Sequence, residues 1–195
     1  MREPGISHPD NYWELRGLAG HIPADEAIVE IGTFRGASAE FLALGSIHGK
    51  GAHVWTVDPH DLDGYRTTTG KGHARSPIRF SDPEHRLAAE ERLTATERLR
   101  ETVTMIQAFS TDAASEWDGP PIGLLFIDGD HREGAVRRDF SAWEPHLASG
   151  AIIAFDDHRA DRFPGVVQVV NNLVDKGIIV HEYTVGTLAV CRRIR

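Results

Sequence analysis

The sequence predicts a doubly wound α/β fold, a mostly parallel sheet with helices on both faces. Short apolar runs recur along the chain, each ending in an acidic residue or glycine and followed by a segment of helical periodicity. The runs are apolar throughout instead of alternating, as strands buried on both sides require.

In chain order, a helix is expected over 12–18, within an amino-terminal segment (1–24) packed on the sheet or over a site. Ala27–Ile31 (AIVEI) is a first strand and 36–44 the helix after it. His53–Val57 (HVWTV) is a second strand, ending at Asp58. The stretch 61–81 has no strand or helix signal and is rich in Gly, Thr, Arg and His. It reads as a mobile lid loop at the carboxyl edge of the sheet, where ligands bind in such folds. Asp82-Pro83-Glu84 then opens a helix, with a cap residue followed by proline at the first position. A third strand at 103–107 leads to a short helix near 111–116, and Ile122–Ile127 (IGLLFI) is a fourth strand ending at Asp128. In 133–146, Val136, Phe140 and Trp143 fall on one helical face with Leu147 beyond them. A fifth strand at 151–155 ends at Asp156, a helix follows at 166–176, and 178–183 with 187–192 forms a closing hairpin whose last strand is antiparallel. No repeat or linker divides the chain, so 1–195 is read as one domain.

Composition bounds the function. A formal charge of −8 argues against nonspecific nucleic-acid binding, although Arg132, Arg137 and Arg138 lie close in sequence. The single cysteine, Cys191, excludes an internal disulfide framework and suits a reducing cytoplasm, with a buried inert thiol as its default role. No secretory signal or membrane-length apolar run is present, so a cytoplasmic protein without membrane partners is expected. Tyr12 and Trp13 mark the amino-terminal segment as a candidate homodimer element.

Three strand ends offer a nucleoside site. In VEIGTFRGAS (29–38), Gly32 and Gly36 follow a strand and open a helix, so backbone approaches a ligand and the helix amino terminus faces it. The loop has neither a GxGxxG pattern nor a phosphate-binding lysine. Glu30 would repel a pyrophosphate and suits a cationic ligand such as S-adenosylmethionine, which carries an ammonium and a sulfonium and no phosphate. Thr33, Phe34 and Ser38 complete the loop. Asp58 can accept two ribose hydroxyls or cap a loop. Ser110 and Asp112 stand where adenine contacts arise, and Asp112 equally reads as a cap for the short helix.

FIDGDH (126–131) and FDDH (155–158) carry the chemistry. Two strands deliver Asp128, Asp156 and Asp157 to one edge, where uncompensated carboxylates would raise one another's pKa. A divalent cation removes that conflict, and three carboxylate oxygens suit Mg²⁺ or Mn²⁺. His131, three residues after Asp128, is placed to take a proton near neutral pH. His60, Tyr65 and His158 are candidate acceptor contacts.

With VEIGTFRGAS, TVDPH (56–60), FIDGDH and IIAFDDH on the page, the chain resembles class I S-adenosylmethionine-dependent methyltransferases. The similar branch contains the metal-dependent macrolide-sugar O-methyltransferases of the macrocin and mycinamicin type. In length the chain is similar to smaller sugar enzymes that act on methylmannose polysaccharide precursors. The resemblance implies strand order 3-2-1-4-5-7-6, magnesium on Asp128, Asp156 and Asp157, and His131 as base. The implied reaction is transfer of a methyl group to a sugar hydroxyl. Rivals are a catechol-type or other aromatic O-methyltransferase and a non-catalytic nucleoside-binding module.

Overall fold

The computed structural model describes residues 8–60 and 83–194. The expected lid loop (61–81), Tyr65 and the cap residue Asp82 lie outside them.

Seven strands form one sheet: β1 (Ala27–Ile31), β2 (His53–Val57), β3 (Val103–Ile106), β4 (Ile122–Ile127), β5 (Leu147–Phe155), β6 (Ile179–Val185) and β7 (Leu188–Arg193). Their spatial order is β3-β2-β1-β4-β5-β7-β6, as the resemblance implied. The first five pair in parallel, and β7 runs antiparallel to both β5 and β6.

The helices are α1 (Pro9–Ala19), α2 (Ala37–His48), α3 (Pro83–Leu93), α4 (Glu97–Thr102), α5 (Ser110–Ser115), α6 (Glu133–Trp143) and α7 (Pro164–Asp175). Because side chains alternate across a strand, each central strand feeds two cores. Ile28, Val54, Leu124 and Phe126 pack with Leu15 and Leu18 of α1, Leu42 of α2 and Leu99 of α4. Val29, Ile31, Leu125 and Ile127 pack with Val136, Phe140 and Trp143 of α6 and with Val166, Val169 and Val170 of α7. Both faces are thus covered, which is why the runs carry no polar alternation.

Three elements depart from expectation. The fifth strand begins at Leu147, because Leu147 pairs with Ile122 before a register shift brings Ile152 opposite Leu124. The helix expected to reach residue 146 ends at Trp143, where a 3-10 turn containing Pro145 takes over. Helix α4 was not anticipated; Thr96 caps it by accepting the Leu99 N–H at 3.2 Å.

Cys191 is fully buried in β7, and burial pushes its thiol up to about 12. Tyr12 and Trp13 of α1 both pack on Phe41 of α2, with ring centroids 5.1 and 5.4 Å apart. No described helix is long and apolar enough to cross a membrane.

Candidate active site

The carboxyl edge of the sheet is built by extending the backbone ladder one residue past the strands. Gly32 N–H donates to Val57 O at 2.9 Å, Asp58 N–H to Ile106 O at 3.1 Å, Asp128 N–H to Ile31 O at 2.9 Å and Asp156 N–H to Ile127 O at 3.1 Å. Four of the expected site residues therefore stand in one row, fixed by the sheet and not by loops. Three non-glycine residues among those described have positive φ: Phe34 (47°), His60 (45°) and Asp157 (53°). All three lie in the loops that leave this edge. Such backbone costs on the order of 1–3 kcal/mol per residue, and it concentrates at functional sites.

At the nucleoside end, the Asp58 carboxylate ties two loops together. Its Oδ2 accepts the Phe34 N–H at 2.9 Å and its Oδ1 the His60 N–H at 2.7 Å. The loop-capping role is thus real, and each oxygen keeps lone-pair capacity for a further donor. His60 is 2% exposed, and its Nδ1 lies 3.6 Å from Asp58 Oδ1. Thr33 is buried with its hydroxyl 2.5 Å from that of Thr56. Gly36, in left-handed conformation, precedes α2 without a side-chain cap, and Ser38 is buried in the first turn. Helix α3 brings His85 onto Phe34, ring centroids 4.3 Å apart, a contact with no local sequence signal.

The Glu30 side chain is fully buried at the end of β1, beneath the loop that leaves it. The Thr56 hydroxyl donates to its Oε2. Burial pushes its carboxyl up to about 7, against the opposing pull of the Ser38 and Thr56 hydroxyls. A carboxyl whose folded pKa is raised is protonated without penalty at low pH. Stability is then lost as pH climbs from the unfolded value toward 7, a loss on the order of 3 kcal/mol. Glu30→Gln is accordingly expected to gain on wild type between pH 5 and pH 8. Urea denaturation at both pH values checks this, and an equal difference at the two would contradict the burial cost.

Ser110 and Asp112 both lie in α5. The Ser110 hydroxyl accepts the Trp143 indole N–H at 3.0 Å, which ties α5 to α6. Asp112 is exposed inside the first turn; the helix starts at Ser110 after Phe109, so the cap reading for Asp112 does not hold.

At the other end, Asp156 is 3% exposed and its Oδ1 accepts three donors. These are Asn11 Nδ2 at 2.7 Å, the Thr187 hydroxyl at 2.8 Å and the Asp157 N–H at 2.7 Å. Asn11 and Thr187 escaped sequence reading because they lie 145 and 31 residues from Asp156. Asp157 Oδ2 faces His131 Nε2 at 3.3 Å. Burial, then the neighbouring Asp156 charge, pushes the Asp157 carboxyl up to about 7. His131 packs on Phe163 with the rings tilted by 56° and their centroids 4.5 Å apart. His158 stands toward the hairpin, its ring 5.6 Å from that of His181, and burial followed by that neighbour lowers its pKa.

Among the described residues, no group of three or more His, Cys, Asp or Glu side chains is drawn close enough to encircle a metal ion. The donor chemistry nevertheless fits a hard cation. Asp128, Asp156 and Asp157 supply only oxygen from two neighbouring strand ends, and the adjacent Asp156 and Asp157 carry a repulsion that a cation relieves.

Residues 29–158 match the model of a family described as a methyltransferase domain. The chain belongs to that family. The matched span begins in β1 and ends just after Asp157, so it takes in the whole carboxyl-edge row. Protein R132 of Acanthamoeba polyphaga mimivirus, described as uncharacterized, is 30% identical over 166 residues, covering 82% of this chain. The chain spans 65% of the length of that curated relative. Among solved structures, an O-methyltransferase from Bacillus cereus in complex with S-adenosylhomocysteine is 17% identical, with a TM-score of 0.67 over 98% of this chain and 84% of that one. The O-methyltransferase TomG from Streptomyces achromogenes, involved in tomaymycin synthesis and solved with S-adenosylmethionine, is 18% identical, with a TM-score of 0.66 over 97% and 82%. At these identities the likeness is one of fold.

Proposed function

We propose that the protein is an S-adenosylmethionine- and Mg²⁺-dependent O-methyltransferase acting on a hydroxyl of a sugar or glycosylated small molecule. The observation that carries this is the row of strand-end carboxylates, Asp58, Asp128 and Asp156, held by the backbone ladder within a methyltransferase-family sheet. The cofactor-bound states of the Bacillus cereus and Streptomyces achromogenes enzymes support S-adenosylmethionine as the donor. The sugar acceptor is supported by the motif resemblance and by an edge whose side chains are largely imidazole and carboxylate.

S-adenosylmethionine would supply an electrophilic methyl group on a sulfonium, and Asp128, Asp156 and Asp157 would hold a divalent cation that lowers the pKa of a nearby hydroxyl. The remaining work belongs to the chain. Gly32 lets backbone approach the donor, and Asp58 accepts hydroxyl hydrogens from its ribose. His131 takes the acceptor proton as the oxygen attacks the methyl carbon, while the sulfur keeps the electron pair of the broken bond. Holding the two reactants in line accounts for much of the expected acceleration.

The test is release of S-adenosylhomocysteine across a panel of sugars, glycosylated polyketides and catechols, with Mg²⁺ and with EDTA. Turnover on a sugar hydroxyl, lost in EDTA and restored by Mg²⁺, is the expected result. Full activity in chelator would remove the metal from the proposal, and turnover confined to catechols would replace the acceptor.

A further inference from the structure

We infer that Asn11, on the amino-terminal helix, is a positioning residue that fixes the Asp156 carboxylate for cation binding; this rests on the metal reading proposed above.

Asn11 is fully buried in the first turns of α1. A buried amide is costly unless its hydrogen-bonding groups are satisfied. Here the bonds converge on two residues. Nδ2 donates to Asp156 Oδ1 at 2.7 Å and to the Thr187 hydroxyl at 2.8 Å, and Oδ1 accepts the Thr187 N–H at 3.2 Å. Rotating the amide by half a turn would set its oxygen against the carboxylate, so the neighbours fix its orientation. The Thr187 hydroxyl, accepting from Asn11, sends its own hydrogen to Asp156 Oδ1 at 2.8 Å. The Asn11 amide and the Thr187 hydroxyl thus both direct a hydrogen at that oxygen.

The network does more than attach a helix. With the Asp157 N–H, three donors hold Oδ1 and so fix the position of the carboxylate. The β6–β7 turn is shaped to the same end. A Cβ at Gly186, where φ is +58°, would lie 2.4 Å from Asn11 Oδ1. The turn can therefore close on the amide only without a side chain. Helix α1 precedes the family-matched span, and through Asn11 it contributes to the site that span contains. Groups that orient a metal-bound carboxylate affect affinity by roughly 10- to 100-fold.

The experiment is a Mn²⁺ titration of the full chain, read by electron paramagnetic resonance, for wild type, Asp156→Asn, Asn11→Ala, Thr187→Val and Thr187→Ser. Circular dichroism confirms that each variant is folded. Wild type is expected to bind Mn²⁺ in an Asp156-dependent way. Asn11→Ala and Thr187→Val should bind it roughly 10- to 100-fold more weakly, and Thr187→Ser, which keeps the hydroxyl, should approach wild type. Folded Asn11→Ala with wild-type Mn²⁺ affinity would overturn the inference and leave the metal reading standing. If Asn11→Ala fails to fold, Thr187→Val against Thr187→Ser decides in the same way. Absence of Asp156-dependent binding in wild type would defeat the metal reading, and this inference with it.

Discussion

His131→Ala is expected to lower turnover by roughly 10²- to 10⁴-fold while leaving the affinity for S-adenosylhomocysteine within about twofold of wild type. The size follows from the role assigned to the imidazole, removal of the acceptor proton. The ring is held between two neighbours. Asp157 Oδ2 stands 3.3 Å from its Nε2, and Phe163 packs against it. A base oriented by a third group is the arrangement expected of an activated site. Retained cofactor affinity is expected because Gly32 and Asp58 follow β1 and β2, whereas His131 leaves β4 and its ring faces Asp157 beyond β5. Single-turnover kinetics with isothermal titration of S-adenosylhomocysteine separates the two effects. Unchanged turnover in His131→Ala would assign the proton to a different group.

Gly32→Ala is expected to destabilise the fold by roughly 2–6 kcal/mol, the combined scale of a strained backbone and an overpacked contact. Its φ of +97° is one that L side chains rarely adopt, and an added Cβ would lie 2.3 Å from the Asp128 carbonyl oxygen. Neither partner can retreat easily, because Gly32 donates to Val57 and Asp128 donates to Ile31 within the extended ladder. Gly51→Ala supplies the control. Its φ is +84°, but a Cβ there meets nothing within 4 Å, so only the backbone strain applies. Urea denaturation of the two variants should separate them clearly; equal losses would mean that the close approach to Asp128 carries no cost.

The sheet was largely legible because burial on both faces writes itself as uninterrupted apolar runs. Ala27–Ile31, His53–Val57 and Ile122–Ile127 were read with their observed limits. The fifth strand was read only from residue 151, since small and polar residues in LASG conceal a pairing that depends on a register shift. Helix α4 (ERLRET) is too short and charged to show a period. At the site, Asp128 and Asp156 were legible because each directly follows an apolar run. The buttress beneath them was not. Asn11 occupies an ordinary helical position, and only the fold brings it to a carboxylate 145 residues away. The setting of Glu30 was hidden for a related reason: a strand residue's facing is visible in sequence, but the hydroxyls of Thr56 and Ser38 that bond its carboxyl are not.

The extended ladder also works as a ruler. Asp58, Gly32, Asp128 and Asp156 follow β2, β1, β4 and β5, which are consecutive in the sheet. The span from the nucleoside end to the Asp156 end is therefore three strand spacings, about 14 Å. That length is dictated by interstrand hydrogen bonding, whose pitch no substitution in a surface loop can alter. On the function proposed above, acceptor preference can thus drift through the connecting loops while the reach between donor pocket and reacting hydroxyl stays constant.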